Sequence, residues 1–345
     1  MSAPIRVAIR ADAGASLGTG HFARASAVAD ALSTGGCAEV VLVTGEEGAP
    51  LVGAYFPAGT RVVALASDQA SPAGTMRALS EGGFAPDVIY LDQYGEVSEW
   101  EAQAAEAGVG LVVLDDLNEA RRADVIVRPH GGDAKRLEGI VLRGPAYLPL
   151  SRHVTALAHR AQSHAAKARL KLNVCFGGTD PTGETPKALK ALAALDVDAD
   201  VVIGPGANID LELLDAAERM PHVTLHRAPS QERLAELMSE ADLALGAGGV
   251  MLWERLCLGV PSLVISVAPN QRPQIDSMTA AGAIRFLGDH VQVTPDTILQ
   301  AVGTLATDEP ARLAMKSIGR RLVDGRGALR LAARIHALAL MARGS

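Results

Sequence analysis

Hydrophobic positions between residues 5 and 127 alternate between two periodicities. Short β-branched runs, typical of buried strands, are separated by segments in which apolar residues recur at helical spacing. Buried strands joined by helices indicate a parallel sheet, because parallel strands need long crossover connections. The pattern predicts strands at 5–9, 40–43, 61–65, 87–91, 111–114 and 125–127, and helices at 21–32, at 73–82 and between the fourth and fifth strands.

A second alternation follows a polar interruption. Residues 152–169, rich in Ala, His, Arg and Gln, predict a linker helix. Beyond it, the pattern predicts strands at 171–176, 200–203, 223–226, 242–245 and 262–267, and helices at 183–195, 210–219, 231–239, 250–258 and 327–342.

The two alternations predict the fold class and the domains. We expect two doubly wound, Rossmann-like α/β domains with an interdomain cleft, since open parallel sheets bind ligands at the carboxyl ends of their strands. A chain of 345 residues is long enough for two such cores. The expected division is an N-terminal domain at 1–151, a linker at 152–169, a C-terminal nucleotide-binding domain at 170–326, and a helix at 327–345 that packs back on the N-terminal domain.

Composition narrows the range of partners. A formal net charge of −7 argues against a nucleic-acid groove or a polybasic membrane surface. No apolar run is long enough to span a bilayer. Three cysteines without metal-ligand spacing, and an N-terminus that enters a strand directly, favour a reduced, cytoplasmic protein. Nothing in the sequence calls for a cofactor, a metal or an oligomer, so we expect a monomer.

The first segment with candidate chemistry runs from Arg10 to Arg24 and contains Gly18-Thr19-Gly20-His21. It lies between a strand and a helix, where backbone amides and the helix dipole favour an anion. A histidine in the first helical turn stays neutral more readily, which suits a general base. Asp12, close in sequence, is a candidate for orienting His21. A polar helix residue in solvent is the alternative interpretation.

Three further segments follow predicted strands of the second half. Gly177-Gly178-Thr179-Asp180 could approach a ligand or form only a tight turn. Gly246-Ala-Gly248-Gly249 opens a helix whose Glu254 could bind a ribose diol or only pair with a neighbouring cation. Asn270 and Gln271 follow another strand, where amides can bind sugar hydroxyl or acetamido groups.

Taken in order, these segments resemble one family over nearly the whole chain. Together with Asp92-Gln-Tyr94, Asp115-Asp116-Leu117, Gly144-Pro-x-Tyr147 and Trp253-Glu254-Arg255, they look like the UDP-2,4-diacetamido-2,4,6-trideoxy-β-L-altropyranose hydrolases. Those enzymes act in pseudaminic acid biosynthesis, which supplies flagellin glycosylation, and have the GT-B fold. The chain departs from the family pattern at Val250 and Met251, where small hydroxyl residues are usual.

The resemblance implies a reaction and a site. His21 would activate a water that attacks the anomeric carbon, releasing UDP with inversion and without a metal. Tyr94 and Asn270 would lie near the sugar, the turn from Gly248 to Glu254 would hold UDP, and Arg152 would be a displaced equivalent of a family arginine. The substrate-binding set is then Arg10, Asp12, Gly20, Arg24, Asp92, Tyr94, Arg152, Gly178, Thr179, Gly248, Gly249, Val250, Met251, Glu254, Asn270 and Gln271.

Two other functions fit the same sequence. A GT-B glycosyltransferase with a UDP-sugar donor would share the fold and the nucleotide site. A non-catalytic protein that binds sugar nucleotides would share the binding residues without needing His21 as a base.

Overall fold

The computed structural model describes residues 3–14, 17–34, 36–94, 97–117, 119, 122–130, 137–160 and 169–344. The chain forms two compact units. Unit 1 comprises Met1–Arg152 and Gly325–Ser345, and unit 2 comprises His153–Asp324. The predicted linker lies partly outside the described residues, since 161–168 are not among them.

Unit 1 contains a seven-stranded sheet flanked by helices. Its strands are β1 (Ile5–Ala11), β2 (Ala38–Gly45), β3 (Arg61–Leu65), β4 (Val88–Asp92), β5 (Gly110–Leu114), β6 (Arg122–Arg128) and β7 (Glu138–Arg143). Its helices are α1 (Gly20–Ser33), α2 (Val52–Tyr55), α3 (Pro72–Glu81), α4 (Val97–Ala107) and, at the end of the chain, α13 (Gly327–Gly344). A short helix, α5 (Arg152–Ala158), starts where the first segment of unit 1 ends.

All strand pairs of this sheet are parallel, in the order β3-β2-β1-β4-β5-β6-β7. The strand order reverses direction between β1 and β4, which lie side by side with Ala11 opposite Asp92. In open α/β sheets this reversal creates a crevice beyond the carboxyl ends of the two strands. The segments that follow β1 and β4 therefore come together at the position where such sheets bind ligands.

Helices cover both faces of the sheet. On one face, Ile9 and Tyr90 pack with Phe22 of α1 and Ile335 of α13 in one buried cluster. On the other, Trp100 of α4 packs in a second cluster under α3 and α4. The last helix thus completes the core of unit 1, because its apolar stripe supplies side chains that the first segment lacks.

Unit 2 repeats this architecture with six parallel strands. They are β8 (Lys171–Cys175), β9 (Asp198–Ile203), β10 (Val223–Arg227), β11 (Leu243–Ala247), β12 (Ser262–Ser266) and β13 (Ile284–Asp289), in the order β10-β9-β8-β11-β12-β13. The helices are α6 (Glu184–Leu192), α7 (Leu211–Glu218), α8 (Gln231–Ser239), α9 (Val250–Leu258), α10 (Arg272–Ala280), α11 (Pro295–Thr307) and α12 (Glu309–Leu322). Here the order reverses between β8 and β11, which carry the Gly177 and Gly248 turns.

The predicted fold class, two doubly wound α/β halves with parallel sheets, is confirmed. The strands predicted for the first half stop at 125–127 and omit β7, which follows β6. β7 is an edge strand with mostly exposed positions, and its apolar run, Ile140-Val141-Leu142, is only three residues long and follows Gly139. The elements from α10 to α12 were also missed. β13 is likewise a half-buried edge strand, and its register shifts opposite Val264 and Ile265.

Within the described part of the chain, no helix is both long enough and apolar enough to cross a membrane.

Candidate active site

A tight loop places His21 at the carboxyl end of β1. Gly14 and Gly18 exchange backbone hydrogen bonds of 2.8 and 3.2 Å, and Gly18 has φ +73°, a conformation that favours glycine. Helix α1 starts at Gly20, so His21 lies in its first turn. Ala15 and Ser16 lie outside the described residues.

Asp92, at the end of β4, is the partner of His21. The Nδ1 atom of His21 lies 2.7 Å from Oδ1 of Asp92, and both side chains are buried. Nδ1 also lies 3.0 Å from Arg24 Nη2, which can only donate, whereas an ionised Asp92 carboxylate can only accept. The shorter contact with the charged carboxylate favours a proton on Nδ1 and a lone pair on Nε2, the tautomer in which Nε2 can act as a general base. It also corrects the expectation that Asp12 orients His21.

Asp12 instead ties the ends of β1 and β2 together. Its Oδ1 accepts hydrogen bonds from Arg10 Nη1 at 2.6 Å and from the Gly45 amide at 2.8 Å. Burial would raise the pKa of Asp12, but its contacts with Arg10 and Gly45 lower it. Arg10 is only 3% exposed, so its guanidinium is committed to this internal pairing.

Arg24 lies one turn after His21 and contacts two aspartates. Its Nε and Nη2 donate to the two oxygens of Asp92 at 3.0 and 2.7 Å, and its Nη1 donates to Asp116 Oδ2 at 2.6 Å. The side chain is nearly fully buried. Such a bidentate arrangement fixes the plane of the Asp92 carboxylate, and through it the orientation of the imidazole.

Tyr94 contacts His21, whereas Arg152 lies away from it. The Tyr94 ring meets the His21 ring edge-on, with centroids 4.5 Å apart, and is 38% exposed. Arg152 lies 3.8 Å from Asp30, near the other end of α1, and its side chain is 64% exposed. Nine residues of helix separate Asp30 from His21, about 13 Å. The structure therefore gathers Tyr94 with His21 but not Arg152.

In unit 2, a pair of amide side chains fixes the Gly248 turn. Gln271 Oε1 accepts hydrogen bonds from the amides of Gly248 at 3.2 Å and Val267 at 3.3 Å, and Gln274 Nε2 donates to the Gly248 carbonyl. The Gly248 amide is thereby occupied. Gln271 acts as a clamp on the turn, whereas Asn270 beside it is exposed.

The start of α9 leaves hydrogen-bonding groups unused. Leu252 is the first residue whose amide bonds back, to Gly249, so the amides of Gly249, Val250 and Met251 have no acceptor among the described residues. A helix N-terminus with free amides attracts phosphate oxygens. This arrangement needs no hydroxyl side chains at positions 250 and 251.

Glu254, in the second turn of α9, is 6% exposed and makes no hydrogen bond or ion pair with any described residue. Burial raises its pKa to about 7, against the opposing effect of the Arg255 charge. Arg255 turns away and donates to the Ala247 carbonyl at 2.7 Å. A buried carboxylate without a partner costs free energy that a ligand with two hydroxyl donors would recover.

The Gly177 turn follows β8 and lies at the same end of the unit 2 sheet as the Gly248 turn. Gly177 has φ +99°, and Asp180 caps α6 by accepting hydrogen bonds from the Glu184 and Thr185 amides at 2.9 and 2.8 Å. The Gly178 carbonyl accepts from Gly206 at 2.8 Å, while Thr179 is half-buried beside it.

Three residues of these clusters were not selected from the sequence. Asp116 was visible only as part of the Asp115-Asp116-Leu117 motif. No sequence signal pointed to Gln274 or to His130, whose Nε2 lies 3.1 Å from Asp116 Oδ1. Their positions depend on which strand ends the fold brings together. Within the described ranges, no group of three or more His, Cys, Asp or Glu side chains is placed to hold a metal ion.

Two curated proteins match the chain at low sequence identity, and one of them is from Bacillus subtilis. No protein-family model matches the chain. The chain is 27% identical over 262 residues to the spore coat polysaccharide biosynthesis protein SpsG of Bacillus subtilis, a match covering 72% of this chain and 75% of SpsG.

Solved structures resemble the whole chain. The glycosyltransferase of kitacinnamycin matches with a TM-score of 0.70 and 19% identity, covering 98% of this chain and 100% of that one. The spinosyn forosaminyltransferase SpnP matches with a TM-score of 0.68 and 16% identity, covering 97% and 99%. MnaA of S. aureus, solved with UDP, matches with a TM-score of 0.63 and 11% identity, covering 96% of each. At these identities the likeness shows the fold, and the chain has the GT-B architecture of two Rossmann-like domains.

Proposed function

We propose that the protein is an enzyme that displaces a nucleoside diphosphate from a nucleotide sugar, with His21 as the general base. The observation that carries the proposal is the buried pair of His21 Nδ1 and Asp92 Oδ1, 2.7 Å apart at the carboxyl ends of β1 and β4. A histidine held by a carboxylate on one nitrogen presents the other nitrogen as a base.

Unit 2 supplies the nucleotide site in this proposal. The free amides of Gly249, Val250 and Met251 suit a diphosphate, and the unpartnered carboxylate of Glu254 suits the two hydroxyl groups of a ribose. We propose UDP as the nucleotide, in line with the sequence resemblance and with the UDP in the MnaA structure.

The reaction requires one proton transfer. His21 removes the proton from an attacking hydroxyl group, whose oxygen forms a bond to the anomeric carbon while the bond from that carbon to the diphosphate oxygen breaks. The leaving diphosphate takes the electron pair and is a stable anion, so no strong general acid is needed. Attack opposite the leaving group inverts the anomeric configuration.

The identity of the attacking hydroxyl separates two activities. The similar proteins favour transfer to an alcohol acceptor, since two of them are named as sugar transferases and SpsG is named for polysaccharide biosynthesis. We therefore place glycosyl transfer in polysaccharide biosynthesis first, ahead of the hydrolysis expected from the sequence.

Hydrolysis is the second candidate because of one observation. The His21 side chain is 5% exposed, and the Tyr94 ring lies edge-on against it. A base enclosed to this degree favours a small nucleophile such as water. The ordered motifs that resemble sugar-nucleotide hydrolases point the same way.

One experiment distinguishes these activities. The protein is incubated with a panel of UDP-sugars, including UDP-N-acetylglucosamine and UDP-linked diacetamido trideoxyhexoses, first alone and then with carbohydrate acceptors. UDP release only with an acceptor supports a transferase, and release without one supports a hydrolase, with product configuration assigned by NMR. Absence of UDP release in both arms, with UDP still bound, would favour a non-catalytic binding protein.

A further inference from the structure

Arg24 lies between the partner of His21 and a second carboxylate. It spans from Asp92 to Asp116, whose other oxygen, Oδ1, lies 3.1 Å from His130 Nε2. Asp92 is fully buried, and the Asp116 side chain is 13% exposed. We refer to Asp92, Arg24 and Asp116 as the charge array.

The charge array carries a net negative charge, which a single ion pair would not. Arg24 alone would cancel the charge of Asp92, and a neutral pair does little to stabilise the imidazolium that forms when His21 takes up a proton. With Asp116 included, two carboxylates face one guanidinium, so the array carries one net negative charge. In a buried setting such a charge acts over several ångströms with little screening.

The array keeps these charges at neutral pH. Burial would raise the pKa of Asp116, but the Arg24 guanidinium and the hydrogen bond with His130 hold it well below its usual range. Burial would lower the pKa of Arg24, but the charges of Asp116 and Asp92 raise it above its usual value. Each member thus stabilises the charged form of the next.

We propose that Asp116 is a positioning residue that acts on His21 through Arg24: it keeps Asp92 fixed and restores the negative charge that would stabilise the imidazolium formed when His21 takes up a proton. The other charged or titratable groups near His21 are Asp12 just after β1, which interacts electrostatically with His21, Tyr94, whose ring lies edge-on against the imidazole, and the buried hydroxyl of Tyr90 on β4. Asp12 is already balanced by Arg10, and Tyr90 is neutral at physiological pH because burial raises its pKa well above 10. The proposal depends on the proposed function only for the role of His21 as the base.

The test measures His21 directly and does not require turnover. The full-length protein is labelled with ¹³C-histidine, the His21 signal is assigned from the spectrum of His21→Gln, and its titration is followed by NMR. We expect Asp116→Asn to lower the pKa of His21 by about half a unit or more. Arg24→Gln should raise it, because it removes the positive charge. Asp30→Asn, which removes a carboxylate near the far end of α1, is the matched control and should change it by less than about 0.3 unit.

Opposite signs for the two variants distinguish an electrostatic role from a general loss of structure. Asp116→Glu, which keeps the charge, should restore the wild-type value. If Asp116→Asn does not fold, Arg24→Gln and Asp116→Glu still carry the test. An unchanged His21 pKa in a folded Asp116→Asn protein, or a drop in Arg24→Gln, would overturn the inference.

Activity then separates the inference from the proposed function. In an active enzyme, the acidic limb of the kcat/KM profile of Asp116→Asn should move to lower pH by the same amount, with KM little changed. If the NMR shifts are found but no sugar nucleotide is turned over, the proposed function fails while the role of the array stands.

Discussion

The imidazole of His21 and the carboxylate of Asp92 are hydrogen-bonded at 2.7 Å, although 71 positions of sequence separate them. Asp92 is the last residue of β4 and His21 follows β1, and those two strands are neighbours at the point where the strand order reverses. This contact favours the His21 tautomer with its proton on Nδ1, and it joins two segments that are far apart in the sequence.

Replacing His21 by Ala should lower kcat by about 10²–10⁴-fold, since that is the range contributed by a general base. UDP affinity should remain near that of the wild type, because Glu254 and the start of α9 belong to unit 2. Steady-state kinetics and calorimetric titration with UDP measure the two quantities. Unchanged turnover in a preparation of matched purity would show that His21 is not the base.

Asp92→Asn should also lower kcat by about 10²-fold or more, because the base would be held in the wrong tautomer. The amide can donate to Nδ1, which favours the tautomer that carries its proton on Nε2. Circular dichroism and the melting temperature check that the fold is retained. Asp68→Asn, an exposed position in unit 1, is the control and should leave kcat unchanged. Equal losses in both variants would contradict a specific role for Asp92.

UDP binding should become tighter as pH rises from 6 to 8. The pKa of Glu254 is raised to about 7 by burial, and ribose hydroxyls donate to the ionised carboxylate, so binding near neutral pH should release a proton. Isothermal titration in buffers of different ionisation enthalpy measures that release. Glu254→Gln should bind more weakly at pH 8 and lose this part of the pH dependence. The comparison cancels the titration of UDP itself. Equal pH dependence in the two proteins would exclude Glu254 from the nucleotide site.

Glu254 should also affect stability without ligand. Its pKa in the folded state exceeds the unfolded value of 4.5, so the folded protein holds the proton more tightly. The resulting stabilisation is complete below pH 4.5 and is lost as pH rises through about 7. Glu254→Gln should therefore increase the free energy of unfolding at pH 8, by roughly 1–3 kcal/mol, but not at pH 5. Denaturant unfolding at the two pH values provides the measurement, and an equal effect at both would rule out this origin.

Gly246→Ala should destabilise the protein by about 1–3 kcal/mol. A Cβ atom there would overlap the Arg255 guanidinium and the Cys175 carbonyl, which are both buried. Gly303→Ala, inside helix α11 with no atom within 4 Å of the added carbon, is the matched control. It should stabilise the protein by about 0.5–1 kcal/mol, because alanine loses less backbone freedom than glycine in a helix. Thermal unfolding of both variants tests the pair, and a neutral Gly246→Ala would show that Arg255 can move aside.

The central elements were predictable because their signals are local. Strands such as β4 and β5 are buried along their whole length, so their apolar runs stand out, and α9 was bounded correctly by Gly249 and Gly259. The edge strands β7 and β13 were missed because Gly139, Arg285 and Gly288 limit their apolar runs to three and two residues, whereas the edge strand β3 has an unbroken apolar run of four.

The sequence by itself determined the parallel α/β class, the Gly-rich turns after β1, β8 and β11, and His21 as the candidate base. These follow from periodicity and from the conformations that glycine permits. Only the tertiary structure decided that Asp92, not Asp12, holds His21, that Arg24 bridges Asp92 and Asp116, and that Glu254 is buried without a partner. Those contacts depend on strand order, which places the ends of β1 and β4 side by side, and strand order is a property of the whole sheet that no local pattern specifies.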